Sequence, residues 1–463
     1  MARQLDVESR QVPPRAAAPR RWLLAIATAG CTAAVLMTPK SAPPAVVVTL
    51  ILLATAGSVE LSRREARDPG DTRPVAWTIG ALFTVAVIRP PRFATDIWSY
   101  TMVGRILTAH HLNPYKVTPA ALGPDPLLHL LHHTWRSGTT PYGPLFVLHS
   151  AFVALVSGTH PLLYRLVFQL TAVTAIGIAL CLIWRTTHST AALALVGLNP
   201  AVAGSIVNGG HNDAMVALGL LGVVLLLMRG RTGVAGWVLC AAVLIKISIG
   251  FAVIPLAFWT ATRYGKRGLL MLVAPTVLFA GTLTLLVPGA LHSITNANSG
   301  VVTRLAIWNI PQRVSWLGLT HKTGQNFATA GTLAAVAVTV FAAVIGRRQP
   351  DPGRGAAVGA AAWLVAAGYV LAWYTVLGLL VAALRPTDRI ARWIAVQGGV
   401  ITAAFLIPRG DLVTMPVLGH IVWFYVPLAL TIGFVWAMIP LVADARQAHR
   451  LAIAGRTSPT ATE

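Results

Sequence analysis

Between residues 22 and 441 the chain is a succession of apolar runs separated by short polar breaks, and this pattern restricts its fold more than any motif. The runs lie near 22–38, 44–59, 74–89, 161–183, 190–207, 213–228, 233–261, 267–288, 326–346, 356–384, 390–407 and 420–441. A helix crosses a bilayer with about 20 predominantly apolar residues, and only helices and closed barrels satisfy their own backbone there. The sequence therefore predicts an all-α, polytopic transmembrane protein. Two runs, 233–261 and 356–384, are longer than one tilted helix needs. Each reads as a hairpin, turning at Lys246 and near Trp373 and Tyr374, or as a single oblique helix, which gives about 12–14 spans.

Composition agrees with this and removes other classes. Hydrophobic residues make up 56% and charged residues 11%, too apolar for an ordinary soluble enzyme. The net charge of +22 would suggest nucleic acid in a soluble chain. Here the basic residues come in bursts between apolar runs, with no continuous stripe to follow a phosphate backbone, so the expected partner is the lipid bilayer and no nucleic acid. Cys31, Cys181 and Cys240 are far apart within apolar runs, which leaves no disulfide framework and no CxxC metal site.

Lys and Arg accumulate in short cytoplasmic loops. Applied here, that rule places both termini in the cytoplasm of a multi-pass plasma-membrane protein. Residues 1–21 form a basic cytoplasmic segment, 22–442 the membrane domain, and 443–463 a disordered cytoplasmic tail. The two longest loops, 90–160 and 289–325, then face outward. Among the acids only Asp96, Asp125, Asp213 and Asp411 share that side, so any chemistry is expected on the outer face. Asp125 and Asp411 read as solvated loop charges. In 96–112, "DIWSYTMVGRILTAHHL", apolar residues recur at helical spacing, which predicts an interfacial helix opened by Asp96 and ended by "NPY" at 113–115. The stretch 144–157 is short for a span and reads as interfacial or re-entrant.

Four segments, "TDIWSYTMVGRILTAHHLNPY" at 95–115, "PYGPL" at 141–145, "GLNPAVAGSIVNGGHNDAM" at 197–215 and "AWYTVLGLL" at 372–380, resemble polytopic GT-C glycosyltransferases. Within that superfamily the chain resembles the actinobacterial polyprenyl-phosphomannose-dependent α-1,6-mannosyltransferases of lipoglycan assembly, over roughly 95–385. The resemblance implies a GT-C-like fold with interfacial helices in the first long outer loop. It also implies a polyprenyl phosphate sugar donor, a glycolipid or lipoglycan acceptor, and inverting transfer with an acidic residue of the first outer loop as general base. That role falls on Asp96.

The chemistry asks for more than a base. The departing phosphate needs cations or hydrogen-bond donors, for which Lys246, Arg304, Arg313 and His211 are the candidates. Asp213, Arg105, Tyr142, Trp373 and Tyr374 are candidates for substrate contact, against plainer roles as helix cap, ion pair or interface anchors. His129, His132 and His133 have the spacing of metal ligands on one helical face, although Pro124 and Pro126 make a loop equally plausible. A divalent ion at Asp96 is compatible with the sequence but not required by it, and no other cofactor is implied. A secondary transporter, or a flippase for polyprenyl lipids, is the alternative reading. It predicts internal pseudo-symmetry, and no repeat between the halves is evident.

Overall fold

The computed structural model describes residues 18–39, 41–296, 302–310, 323–407 and 415–457, and every regular element among them is a helix. Helices α1 (Ala18–Met37), α2 (Pro44–Arg67) and α3 (Arg73–Ile88) pack together at the start of the chain. Pro44 and Pro74 sit in first turns, where the missing N–H would have had no intrahelical partner anyway. Next come α4 (Asp96–Thr108) and α5 (Pro144–Ser157), of 13 and 14 residues, about 20 Å each and so too short to span. They fall on the two stretches of the first long loop expected to be short helices, 96–112 and 144–157. Helix α4 stops five residues before "NPY": His110 and Leu112 donate back to the carbonyls of Arg105 and Ile106, and His111 takes a positive φ of 54°.

Helix α6 (Pro161–Thr187) is long enough to cross a membrane. The run read as 190–207 is broken: α7 (Thr190–Gly197) and a wide-turn segment, Ala201–Asn208, meet at 57°. The cause is Asn199–Pro200, where the Asn199 side chain accepts from the Ala201 N–H and donates to the Ala395 carbonyl. Helices α8 (Asp213–Met228) and α9 (Thr232–Ile245) form a hairpin. Helix α9 ends at Lys246, and α10 (Gly250–Ala274) starts after one short turn, so the expected break at Lys246 is present. Helix α10 is itself interrupted at Gly265 and leads through 275–281 into α11 (Thr282–Leu286) and α12 (Ala290–Asn296).

The last part comprises α13 (Thr323–Gly346), α14 (Pro352–Ala366), α15 (Thr375–Ala382), α16 (Arg389–Phe405), α17 (Pro416–His420) and α18 (Val426–Thr457). Non-helical residues 367–371 and a turn at Ala372–Tyr374 separate α14 from α15, which matches the second expected break. By length and composition six stretches among the described residues can cross a membrane, or seven if the bent pair counts as one. The estimate of 12–14 counted the shorter apolar helices as well. One of these, α15, is wholly buried among other helices, and α8 is largely so; a helix that is apolar all round and enclosed by protein need not match the bilayer thickness.

Candidate active site

Five interruptions meet at one place: the 89–95 connection, the 141–143 turn, the 209–212 turn, the break at Lys246 and the turn at Trp373–Tyr374. Two buried amides fix the first of these. Asn208 donates to the carbonyls of Ala86, Arg89 and Pro90 and accepts from the Arg92 N–H. Gln169 donates to the carbonyls of Ala86, Arg89 and Asn208. The carbonyls left over at the end of α3 are thereby satisfied, and the chain is led into Thr95, the N-cap position of α4. Asp96 is the first helical residue. Among the described residues no hydrogen bond reaches its carboxylate, whose side chain is 13% exposed and lies 3.8 Å from His211 Nδ1.

The "GGHND" turn presents His211 and Asp213. Gly210 has φ +58°, and a Cβ there would lie 2.8 Å from Ile97 Cδ1, so only glycine lets the turn close on α4. His211 is held on two sides, with Nδ1 3.2 Å from the Tyr100 hydroxyl and the ring stacked on Trp373 at 4.2 Å and 20°. Its Nε2 is buried and has no partner among the described residues. Asp213, fully buried, accepts two hydrogen bonds from Lys246 Nζ at 3.0 and 2.8 Å. The ammonium also stands 4.7 Å from the Tyr374 ring centre and 5.9 Å from that of Tyr142. "PYGPL" holds this corner: the Gly143 N–H donates to the Ile245 carbonyl, and a Cβ on Gly143 would lie 2.1 Å from the Leu244 carbonyl oxygen. The Tyr142 ring meets Tyr100 edge-on at 5.2 Å.

Electrostatically the site is one ion pair and one separate acid. Lys246 and Asp213 compensate each other. Burial pushes the Asp96 carboxyl up to about 6; Lys246 pulls against this and Asp213 adds to it. At neutral pH Asp96 is thus ionised yet more basic than an exposed aspartate. A carboxylate with free lone pairs, beside an imidazole and bounded by Tyr100, Tyr142, Trp373 and Tyr374, suits removal of a proton from a polyhydroxylated substrate.

The other sequence candidates fall elsewhere or are differently engaged. Arg105, buried on α4, donates through Nε to both oxygens of Asp125 and through a terminal nitrogen to the Gly158 carbonyl. Asp125 is therefore not solvated as expected: its side chain is fully buried and also meets His110 Nε2 at 2.8 Å. Burial opposes its ionisation, but His110, the Leu127 N–H and Arg105 together hold its carboxyl below the usual range. Arg304 donates to the carbonyls of Phe405 and Ile407 and lies over the Phe405 ring, which touches Trp373 at 5.7 Å. Arg313 and Asp411 lie outside the described residues. His129, His132 and His133 sit in two separate short turns rather than on one helical face, the prolines having kept the segment from forming a longer helix. Among the described residues no three His, Cys, Asp or Glu side chains gather to hold a metal. Sequence reasoning missed Tyr100, read only as part of an apolar face, and the anchors Asn208 and Gln169. The one available signal was an asparagine directly before "GGHND".

Residues 16–263, which include Asp96, Tyr142, His211, Asp213 and Lys246 but not Trp373 or Tyr374, match the family model described as alpha-(1->6)-mannopyranosyltransferase, N-terminal domain. The chain is 31% identical over 237 residues to alpha-(1->6)-mannopyranosyltransferase A of Mycobacterium tuberculosis, covering 49% of this chain and 43% of that one. It is 28% identical over 206 residues to the protein of the same name from Corynebacterium glutamicum, covering 43% and 41%. The matched stretch thus spans less than half the length of these relatives. No solved structure matches. With more than half of its residues under that one family model, the chain belongs to the alpha-(1->6)-mannopyranosyltransferase family.

Proposed function

We propose that the chain is a mannosyltransferase of the plasma membrane that moves mannose from a polyprenyl phosphate donor to a lipoglycan or glycolipid acceptor on the outer face, with both termini cytoplasmic. In this reading the acceptor hydroxyl attacks the anomeric carbon as the bond to the donor phosphate breaks. Asp96 takes the hydroxyl proton, and the configuration at carbon 1 inverts. His211 lies beside the base, while Trp373, Tyr374 and Tyr142 supply flat apolar faces for a sugar ring. Lys246, Arg304, Arg313 and His211 are the candidates for the departing phosphate, with Asp213 orienting Lys246; Arg105 acts on the site through α4.

The observation that carries the reading is the carboxylate of Asp96: mostly buried, without a hydrogen-bond donor among the described residues, and beside His211. A buried structural acid is expected to be held by hydrogen-bond donors, as Asp213 is by Lys246 and Asp125 by Arg105. The test is incubation of the purified protein with polyprenyl phosphomannose and a short α-mannoside, followed by mass and linkage analysis of the product. One added hexose in α-1,6 linkage supports the reading. Transfer from a different polyprenyl sugar alone refutes the donor, and transfer from none refutes the activity.

A further inference from the structure

Three arginines at the site end of the bundle have no acidic partner among the described residues. Arg165, near the start of α6, donates to the Ile88 carbonyl, the peptide that leads into Arg89. Arg89 reaches the Leu36 carbonyl at 3.4 Å, at the limit of a hydrogen bond. Arg92 follows three residues on, its backbone pinned by Asn208. Asn208 and Gln169, one turn beyond Arg165 on α6, hold the Arg89 carbonyl, so all three residues belong to one tightly tied corner. None forms a salt bridge among the described residues, and the Nε atoms of Arg92 and Arg165 are buried without partners.

Such a cluster is costly as it stands. A cation near a helix N-terminus, as Arg165 is on α6, opposes the helix dipole, and the buried guanidinium nitrogens of Arg92 and Arg165 lose their hydration without gaining an acceptor. An anion with several acceptor oxygens relieves both, and planar guanidinium forks fit phosphate in two-point contacts. The corner adjoins the end of α3, where Ile88 is 65% exposed, an apolar surface suited to the hydrocarbon part of a lipid that carries the anion. Lys246, by contrast, already has its carboxylate, and Arg304 its carbonyls.

We propose that Arg89, Arg92 and Arg165 form a binding site for the phosphate of a membrane lipid. Assigning that lipid as the sugar donor rests on the function proposed above, since Arg92 lies four residues before Asp96. An ordinary anionic headgroup has the same chemistry.

The test uses the full chain in a phosphate-free non-ionic detergent, with radiolabelled polyprenyl phosphate, the corresponding polyprenol and phosphatidylglycerol as separate probes. Arg92→Gln, Arg165→Gln and the double variant are compared with Arg165→Lys, all required to keep the parental melting temperature. Roughly tenfold weaker binding of polyprenyl phosphate in each single glutamine variant, partly rescued by lysine and absent for polyprenol, supports a donor site. The same loss confined to phosphatidylglycerol supports the phosphate site and assigns it to a headgroup. Unchanged binding of both phosphates, or equal loss of polyprenol, overturns the proposal. Because binding is read without transfer, a parent that binds lipid phosphate through these arginines but moves no mannose refutes the function and not this site.

Discussion

Replacing Asp96 by asparagine is expected to make the protein more stable and nearly inactive. Burial holds this carboxyl at about 6 in the folded chain against 3.8 for the free group. The unfolded chain therefore ionises first as the pH rises. The contribution of this group to stability is highest below 3.8, falls across the window from 3.8 to about 6, and is level above it, the total loss being about 3 kcal/mol. Asparagine keeps the shape and carries no charge to desolvate. Asp96→Asn should then exceed the parent by up to about 3 kcal/mol at pH 7.5, a gap that closes towards pH 4. Turnover should fall by about 10²- to 10⁴-fold, the range for loss of a general base, with donor binding retained. Thermal unfolding of both proteins in one detergent across pH 4–7.5, beside mannose transfer at pH 7.5, reads both effects. Parental turnover in the variant, or a stability gap that ignores pH, would refute the assignment of Asp96 as a desolvated base.

Other outcomes follow from the same geometry. Lys246→Met leaves Asp213 buried and unpaired and should cost about 3–5 kcal/mol, whereas Lys246→Met with Asp213→Leu should recover most of that in thermal unfolding; an additive double variant contradicts the pairing. If any Lys246→Met protein folds, the acid limb of its pH–rate profile should move above about 6, because Lys246 lowers the Asp96 carboxyl. Asn208→Ala removes one side chain serving three carbonyls and one N–H and should cost about 1–3 kcal/mol for each buried group left unpaired; melting at the parental temperature would show that the 86–92 connection does not depend on it. Gly143→Ala must push the Leu244 carbonyl away, and transfer should fall along with the melting temperature.

Much of the site was legible because its residues are chemically out of place in their surroundings. Asp96 and Asp213 are charges at the edges of apolar segments, Lys246 is a charge inside one, and Trp373–Tyr374 marks an interruption, so each was a candidate before any contact was known. What each charge meets was not legible. Lys246 was expected to await an anionic substrate, and it has Asp213, 33 residues away. Asp125 was expected in water, and it lies between Arg105 and His110 because the chain from 109 to 143 folds back over α4. No local pattern specifies such closures. Tyr100 was hidden for a related reason: helical spacing marks it as an inward-facing ring, and only the turn 111 residues later supplies the imidazole at its hydroxyl. Most helices followed the apolar runs, with two departures: α18 continues to Thr457, past the run that ends near 441 and into residues expected to be disordered, and at Asn199–Pro200 a side chain took over backbone bonds inside a run that is apolar on both sides.

The Lys246–Asp213 bridge also acts as a ruler. It joins the open ends of the α8–α9 hairpin, with 16 helical residues on one side and 14 on the other. One residue inserted in either helix would rotate the far side chain by about 100° and displace it by about 1.5 Å, parting the two charges. Extra residues in the turn at 229–231 would leave both registers intact. Length variation along this hairpin should therefore be tolerated at its closed end and rejected within its arms.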